Sequence, residues 1–60
     1  MTFVIYMDQK GEWRWRLWAA NRRVVADSGE GYVALRDCED AVRLIQQYAP
    51  TAQVQVKRAA

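Results

Sequence analysis

The sequence predicts one α+β domain with the element order β-β-β-α-β. Three observations support this prediction. Three short β-branched, aromatic or alternating segments precede residue 28, a helical period of apolar residues starts near residue 34, and one more alternating segment follows Pro50. No linker, repeat or low-complexity stretch divides the 60 residues. We therefore predict a single domain that spans residues 1–60.

The first two predicted strands cover residues 2–7 and 12–20. A turn at residues 8–11 separates them, where Gly11 is free to take a positive φ. The second strand holds all three tryptophans of the chain. Because side chains alternate between the two faces of a strand, one face is expected to be core and the other open. The expected core face carries Trp13, Trp15 and Leu17, and the open face carries Arg14, Arg16 and Trp18.

The third predicted strand covers residues 23–28, after a two-residue turn at Asn21-Arg22. This turn predicts a register in which apolar residues face apolar residues and opposite charges meet. The predicted pairs are Ala20–Arg23, Trp18–Val25, Leu17–Ala26 and Arg16–Asp27. A type I′ turn needs a positive φ at both central positions, which Arg22 adopts poorly. We therefore expect either strain of about 1 kcal/mol at Arg22 or a different turn type.

A helix is predicted over residues 34–48 and a fourth strand over residues 51–58. Gly29-Glu30-Gly31 ends the third strand, and Pro50 is expected to end the helix because the residue before a proline is pushed out of the α region. The apolar stripe of the helix consists of Leu35, Cys38, Val42, Ile45 and Ala49, with Ala41 and Tyr48 beside it. One face of the last strand consists of Ala52, Val54 and Val56.

The composition favours association of this chain with a copy of itself. A domain of this size buries only about 60% of the surface that its unfolded chain exposes, and small domains usually offset the resulting marginal stability with a disulfide, a metal or a partner. Cys38 is the single cysteine and histidine is absent, which leaves association. No apolar run approaches the roughly 20 residues of a membrane span, and no signal peptide is visible. A free cysteine without a targeting segment favours the cytoplasm.

The residues do not predict an enzyme, and we expect no catalytic, cofactor or metal site. General acid–base catalysis most often uses histidine, which is missing. Cys38 lies on the apolar helix stripe, so a packed thiol is favoured over a nucleophile. The acidic residues Asp37, Glu39 and Asp40 complement a helix dipole. The segment Gly29-Glu30-Gly31 is too short for a dinucleotide fingerprint, although its N–H groups suit an anion at the helix start.

The open sheet face is the candidate contact surface. Its residues are Tyr6, Arg14, Arg16 and Trp18. One interpretation is a solvated face, in which Arg16 pairs with Asp27 and arginine stems lie along tryptophan rings. A second is a surface for a protein partner or a higher oligomer. A third is a weak single-stranded nucleic-acid binder that also uses Lys57 or Arg58. The net charge of +2, from nine basic and seven acidic residues, is too small to indicate nucleic acid by itself.

The chain resembles the YegP-like family of small, functionally uncharacterised proteins. The matching segments are Phe3-Val4-Ile5-Tyr6, Gly11-Glu12-Trp13-Arg14-Trp15-Arg16-Leu17, Ala19-Ala20-Asn21, Ser28-Gly29-Glu30-Gly31-Tyr32 and Ala49-Pro50. The resemblance implies that β-β-β-α-β units occur in pairs, form one continuous antiparallel sheet with the helices on one face, and exchange their final strands. With one unit per chain it implies a homodimer in which the partner's half receives Val54 and Val56. The chain departs from the family pattern at Trp18, where relatives often carry lysine, and at Arg22, where many carry glycine.

Overall fold

The computed structural model describes residues 1–59, in which a three-stranded antiparallel sheet packs against one helix. The elements are β1 (Thr2–Met7), β2 (Trp13–Trp18), β3 (Val24–Asp27), α1 (Leu35–Tyr48) and a 3₁₀ turn (Ala49–Thr51). In the sheet β2 lies between β1 and β3. The predicted α+β class, the three strands and the helix are confirmed, although β2 and β3 are shorter than expected.

The register of the sheet agrees with the prediction except at its hairpin end. Leu17 lies opposite Ala26 and Arg16 opposite Asp27, as expected. Trp18 lies opposite Val24 and not Val25, because the register shifts after Leu17. This shift is a β-bulge, in which β3 holds one residue more than the strand it pairs with. The predicted Trp18–Val25 pair is therefore wrong.

Both hairpins close with the same three-residue loop. In the first, the Asp8 N–H donates to the Glu12 carbonyl at 2.8 Å and the Gly11 N–H to the Asp8 carbonyl at 3.1 Å. In the second, the Ala19 N–H donates to the Arg23 carbonyl at 2.8 Å and the Arg22 N–H to the Ala19 carbonyl at 3.1 Å. The last loop residue has a positive φ in each, 81° at Gly11 and 63° at Arg22. The two-residue turn predicted at Asn21-Arg22 is therefore wrong, and the alternative of a different turn type is correct, since this loop type needs only one positive φ.

The core lies between α1 and the face of the sheet that carries Trp15. Trp15 and Val42 are each 8% exposed, and Cys38 is fully buried. The Phe3 ring meets the Trp15 ring edge to face, with centroids 5.5 Å apart. Further partly buried side chains around this centre belong to Ile5, Trp13, Leu17, Ala26, Tyr32 and Ile45. The predicted core face of β2 is confirmed.

The loop between β3 and α1 is fixed to the start of β2. Tyr32 and Trp13 exchange backbone hydrogen bonds of 2.7 and 2.8 Å, which form an isolated bridge. A Cβ at Gly31 would lie 2.8 Å from the Glu12 Cβ and 2.5 Å from its Oε1. Only glycine therefore lets the loop pass this close to Glu12.

Residues 52–59 form no strand within the single chain, in contrast to the strand predicted at 51–58. The chain leaves α1 through the 3₁₀ turn. Ala49 keeps an α-helical backbone with φ −58° and ψ −36°. The expectation that Pro50 pushes Ala49 out of the α region is therefore wrong. Val54 and Val56 are 90% and 92% exposed. The Cα radius of gyration is 13.3 Å, whereas a compact domain of this length has a value of about 10 Å. Residues 52–59 therefore pair with neither edge of their own sheet.

Candidate contact surface on the open sheet face

Pairing of β1 with β2 brings the predicted contact residues together on the face of the sheet that α1 does not cover. Tyr6 lies opposite Arg14, and the neighbouring pairs on this face are Val4–Arg16 and Thr2–Trp18. Arg16 is exposed, whereas Tyr6, Arg14 and Trp18 are half-buried. The side chains thus form one continuous surface, as their alternation along the strands predicts.

Arg14 is held by Asp8 at the first hairpin. Its Nε donates to Asp8 Oδ2 at 2.7 Å, while Asp8 Oδ1 accepts the backbone N–H groups of Lys10 at 2.9 Å and Glu12 at 3.0 Å. The Glu12 N–H contributes most to lowering the pKa of Asp8, followed by Arg14. The hydrogen bond to Asp8 raises the pKa of Arg14. Sequence reasoning missed this pair, although aspartate at the start of a turn commonly caps backbone N–H groups.

Arg16 lies over the ring of Tyr6, with its guanidinium carbon 4.6 Å from the ring centroid. Within residues 1–59 it makes no ion pair with Asp27, although the two residues face each other across the strands. Asp27 Oδ1 instead accepts the backbone N–H of Gly29 at 3.0 Å. The expected Arg16–Asp27 ion pair is wrong, and the arginine stacks on tyrosine instead of on tryptophan.

Trp18 extends this surface toward the second hairpin. It is half-buried, and the two valines of the bulged segment beside it, Val24 and Val25, are 45% and 57% exposed. Val4 on β1 is 41% exposed. An aromatic ring, aliphatic side chains and one unpaired guanidinium therefore share one accessible surface.

The titratable groups of the core do not add reactive chemistry to this surface. Burial is the largest cause that raises the pKa of the Cys38 thiol, so this fully buried thiol stays protonated at neutral pH. Burial, followed by a hydrogen bond with Glu30, raises the pKa of Tyr32. Among residues 1–59 no three histidine, cysteine, aspartate or glutamate side chains are grouped as metal ligands.

An apolar groove of about 440 Å³ opens between the start of β1 and the end of α1. Its lining residues are Met1, Phe3, Leu17, Ile45, Gln46, Ala49 and Pro50. The groove lies on the helix-covered side of the sheet and is distinct from the open face. Sequence reasoning did not find it, because it depends on where the end of the helix meets the sheet.

Across residues 1–59, no helix combines the length and the apolar character that membrane crossing requires.

Comparison with known proteins relates the chain to small proteins of bacteria and archaea. A UPF0339 protein of Neisseria meningitidis serogroup B is 49% identical over 57 residues, which cover 95% of this chain and 96% of that protein. A UPF0339 protein of Methanosarcina acetivorans is 33% identical over 52 residues, covering 87% and 88% of the two chains. The NMR solution structure of a protein from Haloferax volcanii superposes with a TM-score of 0.85 at 32% identity and covers 93% of both chains.

The family described as a domain of unknown function, DUF1508, matches residues 8–55. This match covers the loop of the first hairpin, β2, β3, the whole of α1 and the first part of the segment that follows it, while β1 lies before it. The resemblance to YegP-like proteins is confirmed, and this chain belongs to the DUF1508 family.

Proposed function

We propose that the protein is a homodimeric interaction module without catalytic activity. In this proposal two copies exchange the strands at residues 51–58, and the open sheet face binds a protein partner. The observation that carries the binding role is the uncovered surface of Tyr6, Arg16 and Trp18. A reducing compartment suits the free Cys38 thiol, so we propose a cytoplasmic location.

The exposure of residues 52–59 supports the exchange of strands. Burying one valine side chain contributes about 1.5–3 kcal/mol to stability, and Val54 and Val56 make almost no contacts within their own chain. Among residues 1–59 only three hydrophobic side chains are buried, those of Trp15, Cys38 and Val42. Such a small core gains from any further apolar contact.

The edge of β1 is a suitable acceptor for the exchanged strand. β1 pairs with β2 on one side, so its other side presents unpaired backbone N–H and C=O groups. The apolar groove lies beside this edge and is lined by Phe3, Ile45 and Ala49 among others. A partner strand along β1 would satisfy these backbone groups and bring Val54 and Val56 next to the groove. Exchange would also remove an exposed edge that otherwise favours uncontrolled association.

The chemistry of the open face supports a protein partner. Aromatic residues and arginine are enriched where protein interfaces bury their centres, and they dominate the binding energy of such interfaces. Arg16 is already oriented by the ring of Tyr6, so little side-chain freedom is lost when a partner binds. Trp18 and Val25 add an apolar area beside this guanidinium.

Single-stranded nucleic acid is the alternative ligand, and the stacking of Arg16 on Tyr6 is the observation in its favour. Phosphate binding requires several available cations, because each contact releases counterions and adds to affinity. Arg14 is engaged by Asp8 at 2.7 Å, which leaves Arg16 as the available guanidinium among the four contact residues. The open face therefore favours a protein partner over a nucleic acid.

Capture from a cell extract with three immobilised forms of the protein tests this function. The forms are the wild type, the open-face variant Arg16→Gln/Trp18→Ser, and the helix variant Arg43→Gln/Tyr48→Ser. The helix variant likewise removes one guanidinium and one aromatic ring, but from exposed positions on α1, where the Arg43 side chain is 68% and Tyr48 57% exposed.

We expect one protein to be retained by the wild type and the helix variant and lost from the open-face variant. The purified captured protein should then reproduce this order in a direct titration. Equal retention on all three forms would argue against binding through the open face. Retained nucleic acid that is released as salt rises would establish the alternative ligand instead.

A further inference from the structure

We propose that the segment from Tyr48 to Ala52 is a hinge that prevents the chain from inserting its last strand into its own sheet. This inference rests on the strand exchange proposed above and adds the device that selects exchange over fold-back. In our proposal the hinge directs residues 52–59 away from the chain's own β1, so that only a second copy receives them.

Hydrogen bonds hold this segment in a continuous helical path. The Ala49 N–H donates to the Ile45 carbonyl, as in the body of α1. The Thr51 hydroxyl donates to the Tyr48 carbonyl at 3.2 Å, and the Ala52 N–H donates to the Ala49 carbonyl at 3.1 Å. The backbone becomes extended only at Ala52, with φ −67° and ψ 140°. A chain reversal directly after α1 would break these bonds.

Pro50 restricts the same segment further. Its ring fixes its own φ near −65°, a value that suits the 3₁₀ turn at Ala49–Thr51. Because Ala49 remains helical, the direction of the chain is set up to Thr51. Few backbone dihedrals are left through which the segment can turn back toward β1.

The acceptor site begins directly beside the hinge. Ala49 and Pro50 line the apolar groove together with Met1 and Phe3, which belong to the start of β1. A strand that reversed at the hinge would therefore run along the chain's own β1, in the place that the partner's strand would take. Residues 51–59 are nevertheless exposed along their whole length. Residues 51–59 thus start close to this site, and it is the direction in which the chain leaves the hinge that keeps them from it.

The last strand of the same chain and that of a second copy compete for one edge of β1. Their effective concentrations indicate how strongly the hinge must disfavour fold-back. A strand tethered by a short flexible connection faces its own acceptor at an effective concentration of about millimolar. If fold-back and exchange were equally free of strain, fold-back would be favoured roughly a thousandfold over exchange with a partner at micromolar concentration. Exchange at micromolar concentration therefore requires a hinge that disfavours fold-back by at least that factor.

The test replaces the hinge proline and measures both oligomeric state and strand protection. The variants are Pro50→Gly and an insertion of Gly-Gly-Ser after Thr51, and Ala59→Gly serves as the control beyond the strand. Light scattering across a dilution series gives the dimer dissociation constant, and hydrogen exchange reports on the amides of residues 53–57. We expect the hinge variants to have a dimer dissociation constant at least tenfold higher than that of the wild type. Their monomers should be folded, with protected amides at residues 53–57.

Three results would overturn the proposal, and each has a different meaning. If the wild type is monomeric at micromolar concentration, both the strand exchange and the proposed dimer are refuted. A dimeric wild type with folded variants of unchanged dissociation constant refutes the hinge but leaves the exchange intact. Monomeric variants with unprotected residues 53–57 refute fold-back. If Pro50→Gly does not fold, the insertion variant decides by the same criteria.

Discussion

Residues 2–48 and residues 52–59 differ in where their apolar side chains find contacts. Within the first region Trp15, Cys38 and Val42 are enclosed by a sheet and a helix of the same chain. Within the second, Val54 and Val56 alternate with polar residues as in a half-buried strand, yet both are at least 90% exposed. The difference indicates that an alternating segment requires a surface to pack on but does not specify which chain supplies it.

The largest expected effect follows from placing charges on the second region. The variant Val54→Asp/Val56→Asp should lose about 3–6 kcal/mol of stability per chain of the dimer, because two valines in each chain no longer bury their side chains. Urea unfolding at several protein concentrations measures this loss. The matched control is Gln53→Asp/Gln55→Asp, which adds the same charges on the opposite side of the segment. If both double variants behave alike, the two sides of the segment are equivalent and no strand forms there.

The next effect tests the first region by removing its central side chain. Trp15→Ala should lower the free energy of unfolding by about 3–5 kcal/mol, because truncating a buried aromatic side chain leaves a cavity. Trp15 is 8% exposed and its ring contacts Phe3. The control is Trp18→Ala on the open face, for which denaturant unfolding should show less than half of this loss. Equal losses would mean that both faces of β2 are covered.

A smaller effect separates local backbone strain from dimer formation. Arg22→Gly should raise stability by about 0.5–1 kcal/mol, because a side chain at positive φ is disfavoured and glycine is not. The melting temperature should rise by about 2–8 °C, with the dimer dissociation constant unchanged. The equivalent residue of the other hairpin is already Gly11, at φ 81°.

Arg23→Gly is the control for this substitution, since Arg23 has no positive φ. It should lower the melting temperature, because glycine adds backbone entropy to the unfolded chain. A loss of stability in both variants would contradict the three-residue loop described for the second hairpin.

The smallest effect is a change in the pH dependence of stability at the first hairpin. The pKa of Asp8 lies below its ordinary value of 3.8, because the Glu12 N–H and Arg14 donate to the carboxylate. A carboxyl group with a depressed folded pKa stabilises the fold above its unfolded pKa, and this contribution disappears as the pH falls through the folded value. Asp8→Asn should therefore be less stable than the wild type at neutral pH, with the difference shrinking below pH 3.8.

Thermal unfolding of both proteins across this range measures the effect of Asp8. Asp40→Asn is the control, since the exposed Asp40–Arg43 pair lies on the helix surface and should give little difference at any pH. A difference between Asp8→Asn and the wild type that does not change with pH would contradict the account of the Asp8–Arg14 pair.

Periodicity was sufficient to predict most of the fold, because alternation and helical spacing report directly on which side chains are buried. The extents of β1 and α1 and the Leu17–Ala26 pair follow from it. The bulge near Trp18 and the three-residue loop at Arg22 do not, since both depend on backbone geometry that several sequences can adopt. The assumed two-residue turn placed Val25 opposite Trp18, and hydrophobic pairing could not correct this because Val24 is equally apolar.

The sequence was sufficient to predict which residues form the open face, but not which ion pairs they make. Strand alternation placed Tyr6, Arg14, Arg16 and Trp18 on one face, as the structure has them. The ion pairs depend on how far each side chain reaches. Arg14 pairs with Asp8 at the neighbouring turn, whereas Asp27 accepts a backbone N–H and does not pair with Arg16. A charge that faces another across two strands is thus a weaker predictor of an ion pair than a carboxylate fixed by a turn.

Light scattering of the wild-type protein during dilution through the micromolar range is the decisive test of the exchanged dimer. Strand exchange predicts a particle of twice the 7.0 kDa chain mass that stays folded. Its residues 53–57 should show hydrogen-exchange protection comparable with that of β1. A stable, folded 7.0 kDa monomer with rapidly exchanging residues 53–57 would contradict it.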